Sequence, residues 1–205
     1  MITKENLKKV LSFLGFEKEA VGEYYTKIYS TCRVHVDFDN EALIYPENKG
    51  LVINDKTTSN FSHNENFVVF ECVCRLLSKG YRPEHIELEP KWQLGRDAKS
   101  GKADIVVKDE NGNALIIIEC KTAGAENNKE VKNTEEYGGQ LFSYWQQENA
   151  TRWLALYSSD WKDDDIIVKS QVINCTDDAN IAKMADKDKG ILIYRNAHND
   201  EERFK

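Results

Sequence analysis

Apolar residues recur along this chain with two periods, and the switches between them divide it into elements. Residues 4–14 set Leu7, Val10, Leu11 and Leu14 at helical spacing, with Thr3 as the expected N-cap and Gly15 as the stop. From Cys32 to Phe38 apolar and polar positions alternate, the period of a strand, and Ala42–Tyr45 and Leu51–Ile53 read as short extended pieces. The polar run 54–62 reads as a connection. A helix is expected at about 64–79, with Phe67, Phe70, Val73, Cys74 and Leu77 on one face and Gly80 at its end.

Strands are expected next at Ile86–Trp92, Ala103–Val107 and Ala114–Cys120, with a loop at Leu94–Lys102 before the second. Between the last two, Asn111-Gly112 lies in a turn at Asp109–Asn113 and signals a hairpin. Residues 122–134 are polar throughout and read as a loop. A helix at 135–149 carries Tyr137, Leu141, Tyr144 and Trp145, and a strand follows at Trp153–Tyr157. Short strands at Ile166–Val168, Val172–Ile173 and Ile191–Tyr194 and a short helix near 179–184 complete the chain. Helix, three strands, helix, strand across 64–158 is the order of an α/β core, a mixed central sheet flanked by helices. Residues 1–62 form an N-terminal helix and short strands packed on that core, and 63–205 the main domain with C-terminal additions.

Composition narrows the class. Hydrophobic residues make up 40% and charged residues 31% of the 205, ordinary for a globular protein. No apolar run approaches the roughly 18 residues that span a bilayer, and the start lacks a signal-peptide core, so a cytoplasmic protein without a membrane partner is expected. Cys32, Cys72, Cys74, Cys120 and Cys175 form no CxxC pair and read as buried reduced thiols. A net charge of −7 argues against coating nucleic acid through bulk electrostatics. It leaves room for a carboxylate cluster built to hold cations, since a bound metal reverses the local field.

Such a cluster is readable in the hairpin. Asp104 opens one apolar strand, and Glu119-Cys120-Lys121 closes the next. Glu119 and Lys121 are two residues apart and share a face. Two carboxylates within reach of one divalent cation, beside an amine, suit phosphodiester hydrolysis, with Mg²⁺ as the expected cofactor and Mn²⁺ as a substitute. Both acids sit at boundaries of otherwise apolar strands, where a charge is costly unless paired or metal-bound. On the following helix Gln140 and Tyr144 lie four apart on one face.

Asp104, the Glu119-x-Lys121 pair and the Gln140-x-x-x-Tyr144 spacing resemble the PD-(D/E)xK nuclease superfamily in its RecB-like branch. With Gly80-Tyr81 after the first core helix, the arrangement is similar to the nuclease domain at the N-terminus of type I restriction enzyme R subunits. The resemblance covers about residues 64–158. It implies a restriction-endonuclease-like fold and a Mg²⁺-dependent DNA endonuclease of restriction type. In that pattern Asp104 and Glu119 bind metal, Lys121 assists the nucleophile, and Gln140 and Tyr144 support the site. The Pro of the family name is Ala103 here. The family often adds an acid on the first helix as a further metal ligand. Glu65 and Glu71 both qualify, and Glu65 is preferred because it opens the helix.

Double-stranded DNA is the expected partner, with helicase or translocase and methyltransferase or specificity parts in the same chain or complex. Arg96, Lys99 and Lys102 are candidates for phosphate contacts, against a solvated loop. The terminal run 200–205 carries no stop or cap signal, so a fragment of a longer enzyme is expected. The competing readings are a stand-alone RecB-like repair nuclease and a catalytically silent adaptor of the same fold.

Overall fold

The computed structural model describes residues 1–90, 102–137, 139–145, 148, 150–186 and 191–192. Arg96, Lys99, Trp92 and His198 lie outside them. Helix α1 (Leu7–Phe13) leads into strands β1 (Glu17–Lys18), β2 (Tyr24–Ile28), β3 (Arg33–Asp37) and β4 (Ala42–Ile44), an antiparallel sheet in that order. Asn6, rather than Thr3, holds the cap position of α1, because the Asn6 N–H closes a turn onto the Thr3 carbonyl before the helix begins.

The main sheet has six strands, in the order β10-β9-β8-β7-β6-β5. These are β5 (Val52–Ile53), β6 (Ile86–Leu88), β7 (Ile105–Lys108), β8 (Ala114–Cys120), β9 (Trp153–Lys162) and β10 (Asp165–Asn174). The β5–β6 and β8–β9 pairs are parallel and the others antiparallel, so the sheet is mixed. Its architecture is the expected one, a mixed sheet flanked by helices.

Helix α2 (Asn64–Ser78) is buried on nearly all sides, from Asn66 to Leu77, and this follows from its place between two layers. Phe67 meets Phe61, and Phe70 meets both Phe16 and Tyr45, from the N-terminal region. Ile116, Ile118, Cys120, Ala155 and Tyr157 of the main sheet belong to the same core. On the other sheet face Ile117, Leu154 and Leu156 pack with Leu141, Phe142 and Tyr144 of helix α4 (Gly139–Trp145). Strand β8 up to Ile118 and the first half of β9, Trp153–Tyr157, read as continuous apolar runs because both their faces are covered.

Three sequence expectations are corrected. Residues 122–134 are not a loop: helix α3 (Ala125–Tyr137) occupies most of them and takes in the start of the helix expected at 135–149, of which Gly139–Trp145 forms the separate helix α4. With Val131 its one aliphatic side chain packed on the core, α3 offers no apolar period to read. Its first turn is secured by the Thr122 hydroxyl on Glu126, and it buries Asn127 and Thr134. The two short strands expected at 166–173 are one ten-residue strand, β10, paired with an equally long β9. Asp163 and Asp164, both at positive φ, make the turn between them. Helix α5 (Asp178–Met184) falls where a short helix was expected, followed by β11 (Ala185–Asp186) paired with β12 (Ile191–Leu192).

Candidate active site

The site begins with a turn. Asp109 Oδ1 accepts the N–H groups of Asn111 and Asn113, each at 2.9 Å, and Gly112 takes the positive φ of 82° that the turn requires. From this turn β7 and β8 run antiparallel, but their register shifts at Val107/Lys108, where a bulge lets Lys108 pair with Ala114 and Val107 with Ile116. Ile105 then pairs with Ile118, and the same register continued one step past the end of β7 sets Asp104 opposite Glu119. Without the bulge Asp104 would stand opposite Ile118, and the two acids would lie on different faces.

Asp104 Oδ2 accepts the Cys120 N–H at 2.6 Å, which binds the acid to the backbone between Glu119 and Lys121. The Lys121 N–H donates to the Tyr157 carbonyl at 2.9 Å, extending the parallel β8–β9 ladder past the end of β8. The Lys121 ammonium lies 2.6 Å from Glu119 Oε1 and 3.5 Å from Glu65 Oε2. Asp104, Glu119, Lys121 and Glu65 are thus brought together from β7, β8 and the start of α2. Glu71 is not part of this group. It is 1% exposed, accepts the Tyr157 hydroxyl at 2.5 Å and pairs with Arg75 at 3.0 Å on the α2 side of the sheet.

The electrostatics are those of carboxylates short of positive charge. Burial, only partly opposed by Lys121 and the Cys120 N–H, pushes Asp104 up to about 7. Burial and then the charge of Asp104 push Glu119 well above the usual carboxylate range. Burial works to lower Lys121, but Glu119 and Asp104 overcome it and raise the amine. Glu119 Oε2 is buried and receives no well-formed hydrogen bond from the described residues. Such an orphaned acceptor is costly unless something else meets it. Among the described residues no three His, Cys, Asp or Glu side chains form a ready-made metal cage.

Gln140 Nε2 donates to the Tyr144 hydroxyl at 3.2 Å, and that hydroxyl donates to the Lys102 carbonyl, two residues before Asp104. Tyr144 is buried, and burial with the charges of Glu119 and Asp104 raises its phenol. Lys102, expected in a loop over DNA, has its ammonium 2.6 Å from Asp55 and 3.3 Å from Glu89. Its charge is directed inward.

Two openings share His63 and Glu65 as lining residues, and the smaller also borders Asp104. A cleft of about 580 Å³ runs between the starts of α2 and α3, lined by His63, Glu65, Thr122 and Glu126 among others. A cavity of about 220 Å³, lined by Glu65, Glu89, Lys102 and Asp104, joins it at His63 and Glu65. A larger cavity, about 680 Å³, lies over the N-terminal sheet beside Tyr24, His35 and Tyr45 and contains none of the expected site residues.

Residues 65–154 match the family described as type I restriction enzyme R protein N terminus (HSDR_N). This stretch resembles the N-terminal region of type I R subunits. It opens on Glu65 and includes Asp104, Glu119, Lys121, Gln140 and Tyr144. No curated protein sequence matches the chain. The R-subunit-like stretch excludes Asp55, Thr57 and Thr58, which nevertheless reach Lys102 and Glu89 beside the site.

Sequence reasoning did not find Glu89, a buried acid in contact with Lys102, or His63, which lines both openings. A weaker signal for Glu89 exists: Glu89-Pro90 follows the short strand Ile86–Leu88, whose two apolar residues are buried, so this acid too stands at the end of a core strand. Among the described residues, no helix is long and apolar enough to cross a membrane.

Proposed function

We propose that this chain is a Mg²⁺-dependent DNA endonuclease domain of restriction type, in the PD-(D/E)xK superfamily with the RecB-like accessory motif. The observation that carries the reading is the orphaned, buried Oε2 of Glu119 beside Asp104, an oxygen in need of a cation. Asp104 and Glu119 would hold the metal, with Glu65 closing the set directly or through water. Mg²⁺ suits them because it commonly takes one or two protein carboxylates and keeps several waters. When bound, the cation supplies Lewis acidity toward a phosphoryl oxygen and toward the attacking water.

The chain's own groups do the rest. Lys121 holds a positive charge against Glu119 at 2.6 Å and can orient a water or stabilise charge developing on the phosphate. The Cys120 N–H fixes one oxygen of Asp104, and the other would be the one to meet the cation. Tyr144, braced by Gln140, holds the backbone before Asp104. The cleft between the starts of α2 and α3 is lined by Glu65, which lies 3.5 Å from the Lys121 ammonium, and is the proposed approach for the phosphate backbone. Double-stranded DNA is the proposed substrate, with translocase and specificity functions supplied by other parts of a restriction enzyme.

Nicking of supercoiled plasmid by the parent chain and by Glu119→Gln, each with Mg²⁺ and with EDTA, tests the reading. Nicking by the parent in Mg²⁺ alone, abolished by the substitution, is expected. Equal nicking by both proteins would place the active centre elsewhere.

A further inference from the structure

Glu89 combines features that hydrolysis as derived above does not use. Its side chain is 4% exposed, yet it carries a carboxylate at the end of β6. Its backbone takes a φ of 50°, uncommon for a residue other than glycine and found where surrounding contacts dictate it. Those contacts are specific. Glu89 Oε1 accepts the Thr57 hydroxyl and, at 3.1 Å, the Thr58 N–H, while Oε2 meets the Lys102 ammonium at 3.3 Å. The Glu89 N–H donates to the Asp104 carbonyl at 3.0 Å.

Lys102 is held at both ends. Its ammonium lies between Asp55 and Glu89, and its carbonyl accepts the Tyr144 hydroxyl. Asp104 is two residues further on, so the backbone entering it is fixed by Lys102 and the backbone leaving it by the Glu89 N–H. A carboxylate that must meet Glu119 across a hairpin needs such bracing, because a metal site loses affinity when its ligands drift.

We propose that Glu89 is a positioning residue for Asp104, acting through Lys102, and that residues 55–58, outside the R-subunit-like stretch, thereby complete the site. This role rests on the nuclease reading, since it presumes that Asp104 holds a cation. It concerns metal affinity as well as turnover, because the partners that orient ligands commonly contribute 10–100-fold, on the order of magnitude, to either.

The test uses the whole chain and Mn²⁺ alone as the probe, with affinity read by calorimetry and folding by circular dichroism. Glu89→Gln keeps an oxygen for Thr57 and Thr58 but sets an amide against the Lys102 ammonium. It is expected to weaken Mn²⁺ binding about tenfold or more. Lys102→Met, at a partly exposed position, breaks the same chain of contacts and serves if Glu89→Gln does not fold. The double variant is expected to bind no more weakly than the poorer single one, as coupled residues require. A lowered melting temperature with parental Mn²⁺ affinity in folded Glu89→Gln and Lys102→Met would reduce Glu89 to a structural acid and overturn the proposal. Asp104→Ala separates the two levels. If it binds Mn²⁺ as the parent does, the nuclease reading falls and this role with it. If it loses binding while Glu89→Gln and Lys102→Met keep theirs, the role of Glu89 alone falls.

Discussion

Glu119 shows how much a single residue can carry at this site. One of its oxygens meets Lys121 and the other, buried, receives no well-formed hydrogen bond from the described residues, which is why a cation is proposed there. That residue was legible in the sequence, as were Asp104 and Lys121, because a charge ending an apolar strand needs an explanation and a spacing of two gives a shared face. Glu89 was not, although it too stands at the end of a core strand. Its partners lie at positions 55, 57, 58 and 102, and periodicity does not reach between segments that far apart. The choice between Glu65 and Glu71 was beyond the sequence for a similar reason: only the position of Tyr157 reveals that Glu71 is engaged on the other side of the sheet. The cysteines give a residue-scale prediction. All five are buried, and burial pushes Cys74 and Cys175 up to about 12. The thiolate is the reactive form, so at pH 8 the native protein should react negligibly with a disulfide reagent and release all five thiols only on denaturation. Rapid labelling of native Cys74 or Cys175, mapped by mass spectrometry, would contradict this.

At the scale of elements, the hairpin and the helix behind it make the site. The Asn111-Gly112 signal located the turn, but the bulge at Val107/Lys108, which aligns Asp104 with Glu119, left no trace in the apolar pattern. Helix α3 was missed because Val131 is its one aliphatic side chain on the core and sets no period, whereas α4 was found because Leu141, Phe142 and Tyr144 cover the sheet. Gln140 sits on the exposed side of α4 and, among the described residues, reaches the site through the Tyr144 hydroxyl. Replacing it with Ala removes one hydrogen bond to a group that holds the backbone before Asp104. Gln140→Ala is therefore expected to lower the nicking rate by about tenfold while shifting the melting temperature by only a few degrees. Loss of the cooperative melt without a specific loss of nicking would make Gln140 a structural residue instead.

For the whole molecule, the α/β order of residues 64–158 was legible, but the layering around it was not. The N-terminal sheet covers α2 so fully that the helix is apolar nearly all round, and β5 joins the edge of the main sheet. Cation binding should register in the stability of this assembly. Mg²⁺ that binds the folded chain at a hundred times its Kd stabilises it by about 2.7 kcal/mol, visible as a raised melting temperature. The Asp104→Ala/Glu119→Ala double variant should show no such rise, and an equal rise in both proteins would place the cation elsewhere.

The central claim, that this carboxylate and lysine cluster hydrolyses DNA, is tested most directly at Lys121. Its ammonium touches Glu119 and Glu65, and its proposed role belongs to the transition state rather than to holding substrate. The decisive measurement is plasmid cleavage in Mg²⁺ by the parent and by Lys121→Ala, run beside a gel shift on the same DNA. The account predicts cleavage by the parent, none by the variant, and the same gel shift for both. Undiminished cleavage by Lys121→Ala, or a parent that leaves plasmid intact in both Mg²⁺ and Mn²⁺, would contradict it.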